Sequence, residues 1–221
     1  MSVSRRIILL PGLAADERMY GGIGTLQVPL LTPRLLIPER NETMAEYAQR
    51  HADWLDVGTD DLIGGCSFGS MVASEICRQR ATRGLVLLSG ALSSTTLVSS
   101  SHRLKCIADF IPFMLMRRVL MCSLFLHAVF GDADPAHIEL GRVMIKETPR
   151  DLLVLGGKLA ANYYPTTPIE CDIFSLHGAL DRVLIAPDVH GGEVVKDAGH
   201  GMVVSHAGQV AEFLRRVIAA G

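Results

Sequence analysis

Short apolar runs bounded by glycine or proline recur along the chain, and they restrict its fold more than any other feature. Five are clear and a sixth is weaker: residues 7–10, 35–37, 62–63, 85–88, 173–176 and 194–195. None of them alternates regularly between apolar and polar residues. We therefore expect strands that are covered on both faces, as in a parallel sheet.

Helix-like stretches lie between several of these runs. Residues 43–55 are one, with Asn41 as the expected cap near its start, and residues 68–80 are another. In residues 206–219 the apolar side chains recur every three to four positions, which is typical of one buried helix face. Strands that alternate with helices predict right-handed βαβ units, and hence an α/β fold with a doubly wound, mostly parallel sheet of about six strands.

One long segment interrupts this alternation. No strand is expected between residues 92 and 168. Residues 104–130 are rich in leucine, methionine and phenylalanine and predict one or two helices, and residues 134–161 predict two more. We therefore expect a core formed by residues 1–91 and 169–221, with residues 92–168 as a helical insertion.

Composition excludes several classes of protein. The 221 residues are 49% hydrophobic and 20% charged, which is too apolar for a disordered chain. The formal net charge is −2 and the arginine pairs are scattered, so we expect no nucleic-acid partner. The five cysteines are odd in number and none belongs to a C-x-x-C pair, which favours a reducing compartment over a disulfide framework.

No export or membrane segment is expected. The apolar run at residues 7–10 ends at Pro11 and is too short for a signal peptide. The longest apolar stretch, residues 119–130, is shorter than the roughly 18 residues that cross a bilayer. The sequence therefore predicts a cytoplasmic protein without membrane insertion, and it leaves the oligomeric state open.

The strongest chemical signal is a G-x-S-x-G motif made by Gly65, Ser67 and Gly69. It follows a strand-like run and opens a helix-like run, which is the setting of a nucleophile elbow. In such a turn the serine hydroxyl stands at the carboxyl edge of the sheet, and the glycines remove Cβ atoms that would clash. Ser67 is therefore the candidate nucleophile, although a glycine-rich turn with an incidental serine would look the same.

A serine hydroxyl needs a base within hydrogen-bond reach. Among the eight histidines, His200 lies between the last expected strand and the last helix, at the edge of the sheet where Ser67 is expected. His206 fits a structural role at the start of the final helix, and His177 fits a packing role at the end of a strand. The remaining histidines lack a motif and are expected at the surface or in the insertion: His51, His102, His127, His137 and His190.

The base in turn needs a carboxylate that orients it and stabilises the imidazolium. Asp181 follows the strand at residues 173–176, so it also falls on a loop at the carboxyl edge. Asp188 and Asp197 are the alternatives, and Asp197 is only three residues from His200. Asp181 is the preferred candidate.

Acyl transfer also needs N–H donors for the developing oxyanion. The residue after the nucleophile, Phe68, supplies one backbone N–H in an elbow of this kind. The loop after the first strand would supply the other, with Leu13 as the candidate donor because Gly12 permits a close approach of the backbone. An ordinary strand-ending turn at Pro11-Gly12 is the alternative interpretation.

In chain order the candidates are the oxyanion loop, Ser67, Asp181 and His200. With these residues the sequence resembles the α/β-hydrolase family over nearly its whole length. The oxyanion segment of small bacterial members is resembled by residues 7–20 and the elbow by residues 65–69. The acid segment is resembled by residues 178–184 and the base segment by residues 198–200. The resemblance implies that residues 92–168 form a helical cap over the active site. Two features depart from the family pattern: Pro11 stands where histidine is frequent, and no antiparallel hairpin is expected before the first parallel strand.

The resemblance implies several functions, since the fold hosts many chemistries. A serine at position 67 excludes the carboxylate nucleophile of haloalkane dehalogenases, and Cys66 lies one position away from the nucleophile of dienelactone hydrolases. The expected activity is a carboxylesterase that cleaves small-to-medium acyl esters through an acyl-enzyme, without cofactor or metal. The alternatives are an acyl thioesterase, a hydrolase of C–C bonds, a cofactor-free perhydrolase side activity, a hydrolase-fold receptor for a small molecule and a structural interaction module.

The apolar side chains of residues 104–130 permit two interpretations. They pack as a core between the insertion and the sheet domain, or part of them lines an acyl pocket above Ser67. Methionine favours the pocket slightly, because its flexible side chain adapts to different apolar ligands.

Overall fold

The structure is a computed structural model that describes residues 5–96, 113–130 and 134–220. In these ranges six parallel strands form one sheet in the order β2-β1-β3-β4-β5-β6. The strands are β1 (Ile7–Leu10), β2 (Leu30–Leu31), β3 (Leu62–Ser67), β4 (Gly84–Gly90), β5 (Asp172–Gly178) and β6 (Glu193–Val195). The predicted doubly wound parallel sheet is thereby confirmed.

The helices of the described ranges agree with the expected alternation. In chain order they are α1 (Met44–Trp54), α2 (Phe68–Gln79), α3 (Phe113–Met121), α4 (Ser123–Phe130), α5 (Pro135–Glu147), α6 (Arg150–Ala161), α7 (Met202–Ser205) and α8 (Ala207–Ala220). The helices predicted at residues 43–55, 68–80 and 206–219 are each found within one residue of the expected ends. In the described part of the chain, no helix is long and apolar enough to span a bilayer.

The two faces of the sheet are covered by different helices, and this explains the unbroken apolar strands. Ile8 and Leu10 of β1 pack in one cluster with α1 and α2. Ile7 and Leu9, the alternate residues of the same strand, pack in a second cluster with α8. Successive strand side chains point to opposite faces, so a strand covered on both sides must be apolar at every position.

The strand predicted at residues 35–37 is wrong, because the second strand lies earlier at Leu30–Leu31. Side chains of α1 replace the sheet as the hydrogen-bond partners of this segment. The Leu36 N–H donates to His51 Nε2 over 3.1 Å, and the Leu36 carbonyl accepts from the Tyr47 hydroxyl over 2.6 Å. These bonds satisfy the backbone of Leu36 without a neighbouring strand.

The predicted cap of α1 is also wrong. Asn41 lies in a turn with φ of 65°, and Thr43 is the residue that caps the helix. The Thr43 hydroxyl accepts from the Glu46 N–H over 3.2 Å, and the Glu46 carboxylate accepts from the Thr43 N–H over 2.8 Å. This reciprocal pair is a capping box, which satisfies two backbone donors at once.

His51 was expected at the surface or in the insertion, yet it is completely buried in α1. Its Nδ1–H donates to the Tyr47 carbonyl over 2.9 Å while Nε2 accepts from Leu36, so the ring must be neutral. Burial lowers the pKa of His51 to about 4, against which the bond to the Tyr47 carbonyl acts only in part.

The neutral His51 makes stability depend on pH. Between pH 6.5 and 4 the unfolded chain takes up a proton that the folded chain refuses, so the free energy of unfolding falls as the pH falls. We expect this group to remove about 3 kcal/mol between pH 7 and pH 4, at about 1.4 kcal/mol per pH unit. His51→Gln keeps an acceptor for Leu36 without titrating, so urea unfolding should show a correspondingly smaller loss for this variant.

The exposed His127 on α4 offers the matched control. His127→Gln removes a histidine from the surface, and its unfolding free energy is to be compared with that of His51→Gln over the same pH range. If the free energy of unfolding falls with pH equally in the parent and in His51→Gln, protonation of His51 does not contribute to the pH dependence.

Between β4 and β5 the described residues contain helices α3 to α6 and no strand, as the sequence predicts. Residues 97–112, which include part of the predicted 104–130 helical stretch, lie outside the described residues. Phe130 is buried, with Leu120 and Met121 packed against its cluster, whereas Met114, Leu115 and Leu124 are exposed. Some of the apolar side chains in the described part of residues 104–130 therefore pack in a hydrophobic core.

Candidate active site

Ser67 occupies a strained turn at the junction of β3 and α2. Its backbone has φ of 52° and ψ of −119°, a conformation that a residue with a side chain rarely adopts. A Cβ at Gly65 would collide with the Leu10 carbonyl and with Gly69, and a Cβ at Gly69 would collide with the carbonyls of Leu10 and Pro11. The motif glycines are thus required because the turn packs directly against the end of β1.

A second serine fixes the elbow to the neighbouring strand. The Ser70 hydroxyl donates to the Ser67 carbonyl over 2.5 Å and accepts from the Ala91 N–H over 2.8 Å. Ala91 follows β4, where the β3–β4 pairing shifts register between Cys66 and Ser67. The strained conformation of Ser67 is therefore held by contacts on both sides.

His200 and Asp181 meet at the same edge of the sheet. The Nδ1 atom of His200 lies 2.8 Å from Asp181 Oδ2, and the Asp181 side chain is only 1% exposed. The other carboxylate oxygen accepts from the N–H groups of Val183 and Leu184, over 2.8 and 2.9 Å. Since a carboxylate only accepts, His200 must carry its proton on Nδ1, which leaves Nε2 free to accept.

Opposing effects act on the ionisation of Asp181. Burial by itself raises the pKa of its carboxyl group, but the hydrogen bonds from His177 and His200, the charge of His200 and the Leu184 N–H lower that pKa well below its ordinary value. Asp181 is therefore an anion at neutral pH, as a residue that stabilises an imidazolium must be.

Neither alternative carboxylate contacts His200. Asp197 lies 3.6 Å from Nε2 of His206, and its side chain is 78% exposed. Asp188 is exposed and lines a separate cavity of about 680 Å³, together with Phe174 and Phe213. Of the three aspartates considered from the sequence, Asp181 is the one hydrogen-bonded to the candidate base.

Ser67 and His200 are brought to one edge, because β3 ends at Ser67 and His200 follows β6 in a parallel sheet. Both residues are described, and no hydrogen bond joins the Ser67 hydroxyl to the His200 ring. Catalytic contacts are often long before substrate binds. This contact of the predicted triad thus stays a prediction.

The loop after β1 runs beside the nucleophile. A Cβ built on Gly12 would lie 3.7 Å from the Cβ of Ser67, so the Gly12 backbone is a close neighbour of the serine. Among the described residues the Leu13 N–H has no acceptor. Leu13 and Phe68 therefore flank Ser67 as expected, and their role as oxyanion donors stays a prediction.

Helices of the insertion contact both of these loops. Gly201 directly follows His200, and its N–H donates over 2.8 Å to the carbonyl of Val129 near the end of α4. On the other side, a Cβ at Gly156 of α6 would lie 2.5 Å from Leu13 Cδ1 and 3.5 Å from the ring of Phe68. The helices α4 and α6 thus pack beside the loops that carry His200 and Leu13.

One contact of the site was not expected from the sequence. His177 was assigned to packing at the end of β5, yet its Nε2 atom lies 3.2 Å from Asp181 Oδ2. The only signal was its place four residues before Asp181. That spacing alone does not predict contact, because it depends on how the loop after β5 turns back.

No family model matches the sequence, and no curated protein matches it. Solved structures do resemble it. An esterase from Thermogutta terrifontis has a TM-score of 0.76 at 17% identity, covering 97% of this chain and 89% of its own. A hydrolase from Oleispira antarctica has a TM-score of 0.74 at 13% identity, covering 98% of this chain and 92% of its own. An esterase from Exiguobacterium antarcticum has a TM-score of 0.73 at 13% identity, covering 99% of this chain and 93% of its own. The chain has the α/β-hydrolase fold.

Proposed function

We propose that the protein is a serine hydrolase that cleaves small-to-medium acyl carboxylic esters. One observation carries the proposal: Ser67 sits in a strained strand-to-helix turn at the same sheet edge as the His200–Asp181 hydrogen bond. Strain of this kind is retained where it serves a function, which supports a catalytic role for the Ser67 hydroxyl. The esterases among the structural neighbours are consistent with this chemistry.

In the proposed reaction, the Ser67 hydroxyl oxygen attacks the ester carbonyl carbon while Nε2 of His200 takes the hydroxyl proton. The backbone N–H groups of Leu13 and Phe68 stabilise the oxyanion. The tetrahedral intermediate collapses, and the alcohol leaves with the proton from His200. Water then attacks the acyl-enzyme by the same route, releasing the carboxylic acid and restoring Ser67. Throughout, Asp181 holds the His200 tautomer and stabilises its imidazolium.

The insertion, residues 92–168, is proposed to be a cap that shapes the acyl pocket. The contacts of α4 with Gly201 and of α6 with Leu13 and Phe68 support this, because those residues adjoin His200 and Ser67 in the sequence or in the site.

A cytoplasmic location is also proposed. It is supported by the free thiols in the described part of the chain, which are Cys66, Cys77, Cys122 and Cys171.

The acyl-length dependence of kcat/KM tests the substrate class. Each methylene buried in an apolar pocket contributes about 0.8 kcal/mol, or nearly fourfold in rate if it is felt in the transition state. We expect kcat/KM for p-nitrophenyl esters to rise from acetyl to about butyryl or hexanoyl and then to level. A steady decrease from acetyl onward would show that the apolar side chains of residues 104–130 act as core alone.

Two other outcomes would replace the proposal. Faster turnover of matched acyl-CoA thioesters than of oxygen esters would identify an acyl thioesterase. Tight binding of a small molecule with negligible turnover of every ester would identify a receptor.

A further inference from the structure

A second histidine contacts the candidate acid. His177, at the end of β5, is buried, with 3% of its side chain exposed. Its Nε2 atom lies 3.2 Å from Asp181 Oδ2 and also 3.2 Å from the Leu184 carbonyl oxygen. A single ring nitrogen thus faces two acceptors at equal distance.

These partners fix the protonation of His177. A carbonyl oxygen can only accept, so Nε2 must carry a hydrogen that it shares between Leu184 and Asp181. Among the described residues, the buried Nδ1 atom has no partner. Since Nε2 carries the hydrogen and Nδ1 points away, His177 acts towards Asp181 only as a donor.

All acceptor positions of Asp181 are then engaged. Oδ1 accepts from the backbone N–H groups of Val183 and Leu184, and Oδ2 accepts from His200 and lies 3.2 Å from the N–H-bearing Nε2 atom of His177. The backbone bonds hold one oxygen to the turn. The His177 bond restrains the other, which is the oxygen that orients the base.

We propose that His177 is a positioning residue of the active site, which holds Asp181 Oδ2 in line with Nδ1 of His200. The inference rests on the proposed esterase function. It has two consequences. His177 prevents rotation of the carboxylate, and its N–H draws part of the negative charge of Oδ2 away from His200.

Loss of this donor should be visible in the pH profile. Without the His177 N–H, the carboxylate interacts more strongly with the imidazolium of His200, so that ring gives up its proton at a higher pH. Among the described residues, His177 itself also faces this carboxylate, and so does the Cys66 thiol, whose pKa is raised by burial and by the negative charge of Asp181. Cys66 stays neutral in the working range. The acid limb of the profile, in which kcat/KM rises with pH, therefore reports on His200.

The test compares His177→Leu with His177→Gln, because the glutamine amide nitrogen can reach the place of Nε2. In His177→Leu we expect kcat/KM to fall roughly 10- to 100-fold, as when a partner that orients a functional side chain is removed. The acid limb of kcat/KM should move to higher pH by about half a unit. His177→Gln should recover most of the rate and return the limb towards the parent position.

His51→Leu is the matched control, since it replaces a second buried histidine whose bonds go only to the backbone. It should lower the unfolding temperature without moving the acid limb. If His177→Leu behaves in the same way, or if His177→Gln is as impaired as His177→Leu, His177 has only a structural role and the inference is wrong.

A readout without substrate separates this inference from the proposed function. The His200 Nδ1 proton in its bond to Asp181 should be visible by proton NMR at low field. We expect it to move further downfield in His177→Leu and to remain near the parent position in His177→Gln. If the parent protein hydrolyses no ester while this pattern holds, the proposed function fails and the positioning role of His177 stands. An unchanged resonance in His177→Leu would overturn the positioning role.

Discussion

Replacement of Ser67 with alanine is expected to abolish ester hydrolysis. In a comparable triad, removal of the serine lowers kcat by about 10⁶-fold, and the residual rate comes from substrate binding and the oxyanion donors. Alanine and serine carry the same Cβ, so the positive φ of 52° at this position costs both residues alike. The variant should therefore keep its unfolding temperature while losing its activity, as measured with p-nitrophenyl butyrate.

A fluorophosphonate supplies the second measurement, because it reacts only with an activated serine. One label per chain is expected, at Ser67, and none in Ser67→Ala. Ser74→Ala is a suitable control: its hydroxyl is buried in α2 and donates to the Ser70 carbonyl over 2.7 Å, away from the proposed chemistry. That variant should be labelled like the parent. Labelling that persists in Ser67→Ala would place the nucleophile elsewhere.

Asp181→Asn is expected to lower kcat by about 10⁴-fold, as in comparable triads. The backbone N–H groups of Val183 and Leu184 would keep the asparagine carbonyl oxygen at the place of Oδ1. The amide nitrogen would then face His200 and donate to Nδ1. This moves the imidazole proton to Nε2, and a protonated Nε2 cannot accept the proton of Ser67.

The two alternative carboxylates supply the controls for this variant. Asp188→Asn and Asp197→Asn should each retain kcat close to that of the parent, because neither side chain contacts His200. Near-normal activity in Asp181→Asn together with an inactive Asp197→Asn would show that the wrong aspartate was chosen. Unfolding curves for all three variants would distinguish loss of chemistry from loss of structure.

The strands and the elbow could be predicted because each leaves a pattern within a few consecutive residues. A strand that is buried on both faces is apolar along most of its length, and residues 7–10 of β1 and 85–88 of β4 show this directly in the sequence. The elbow shows in the sequence as a five-residue motif, although the atoms that leave no room for Cβ at Gly65 and Gly69 belong largely to Leu10 and Pro11 at the end of β1. The helix α8 follows from its regular apolar face.

Other features depended on residues that are distant along the chain. Residues 35–37 have the composition of a strand, but Tyr47 and His51 of α1 satisfy the backbone there and remove the need for sheet pairing. For the same reason, the burial of His51 was not predictable: nothing near it in sequence shows that its two ring nitrogens would find backbone partners.

The sequence by itself determined the type of each candidate group: a serine between glycines, a histidine before the last helix and an aspartate after β5. Only the tertiary structure decided which aspartate meets the base, because Asp181 and His200 are 19 residues apart and are joined by the return of the chain through β6. It also decided that His177 Nε2 lies 3.2 Å from the same carboxylate oxygen. A hydrogen bond depends on distance and direction in space, and the order of residues along a chain specifies neither until the sheet brings the strand ends together.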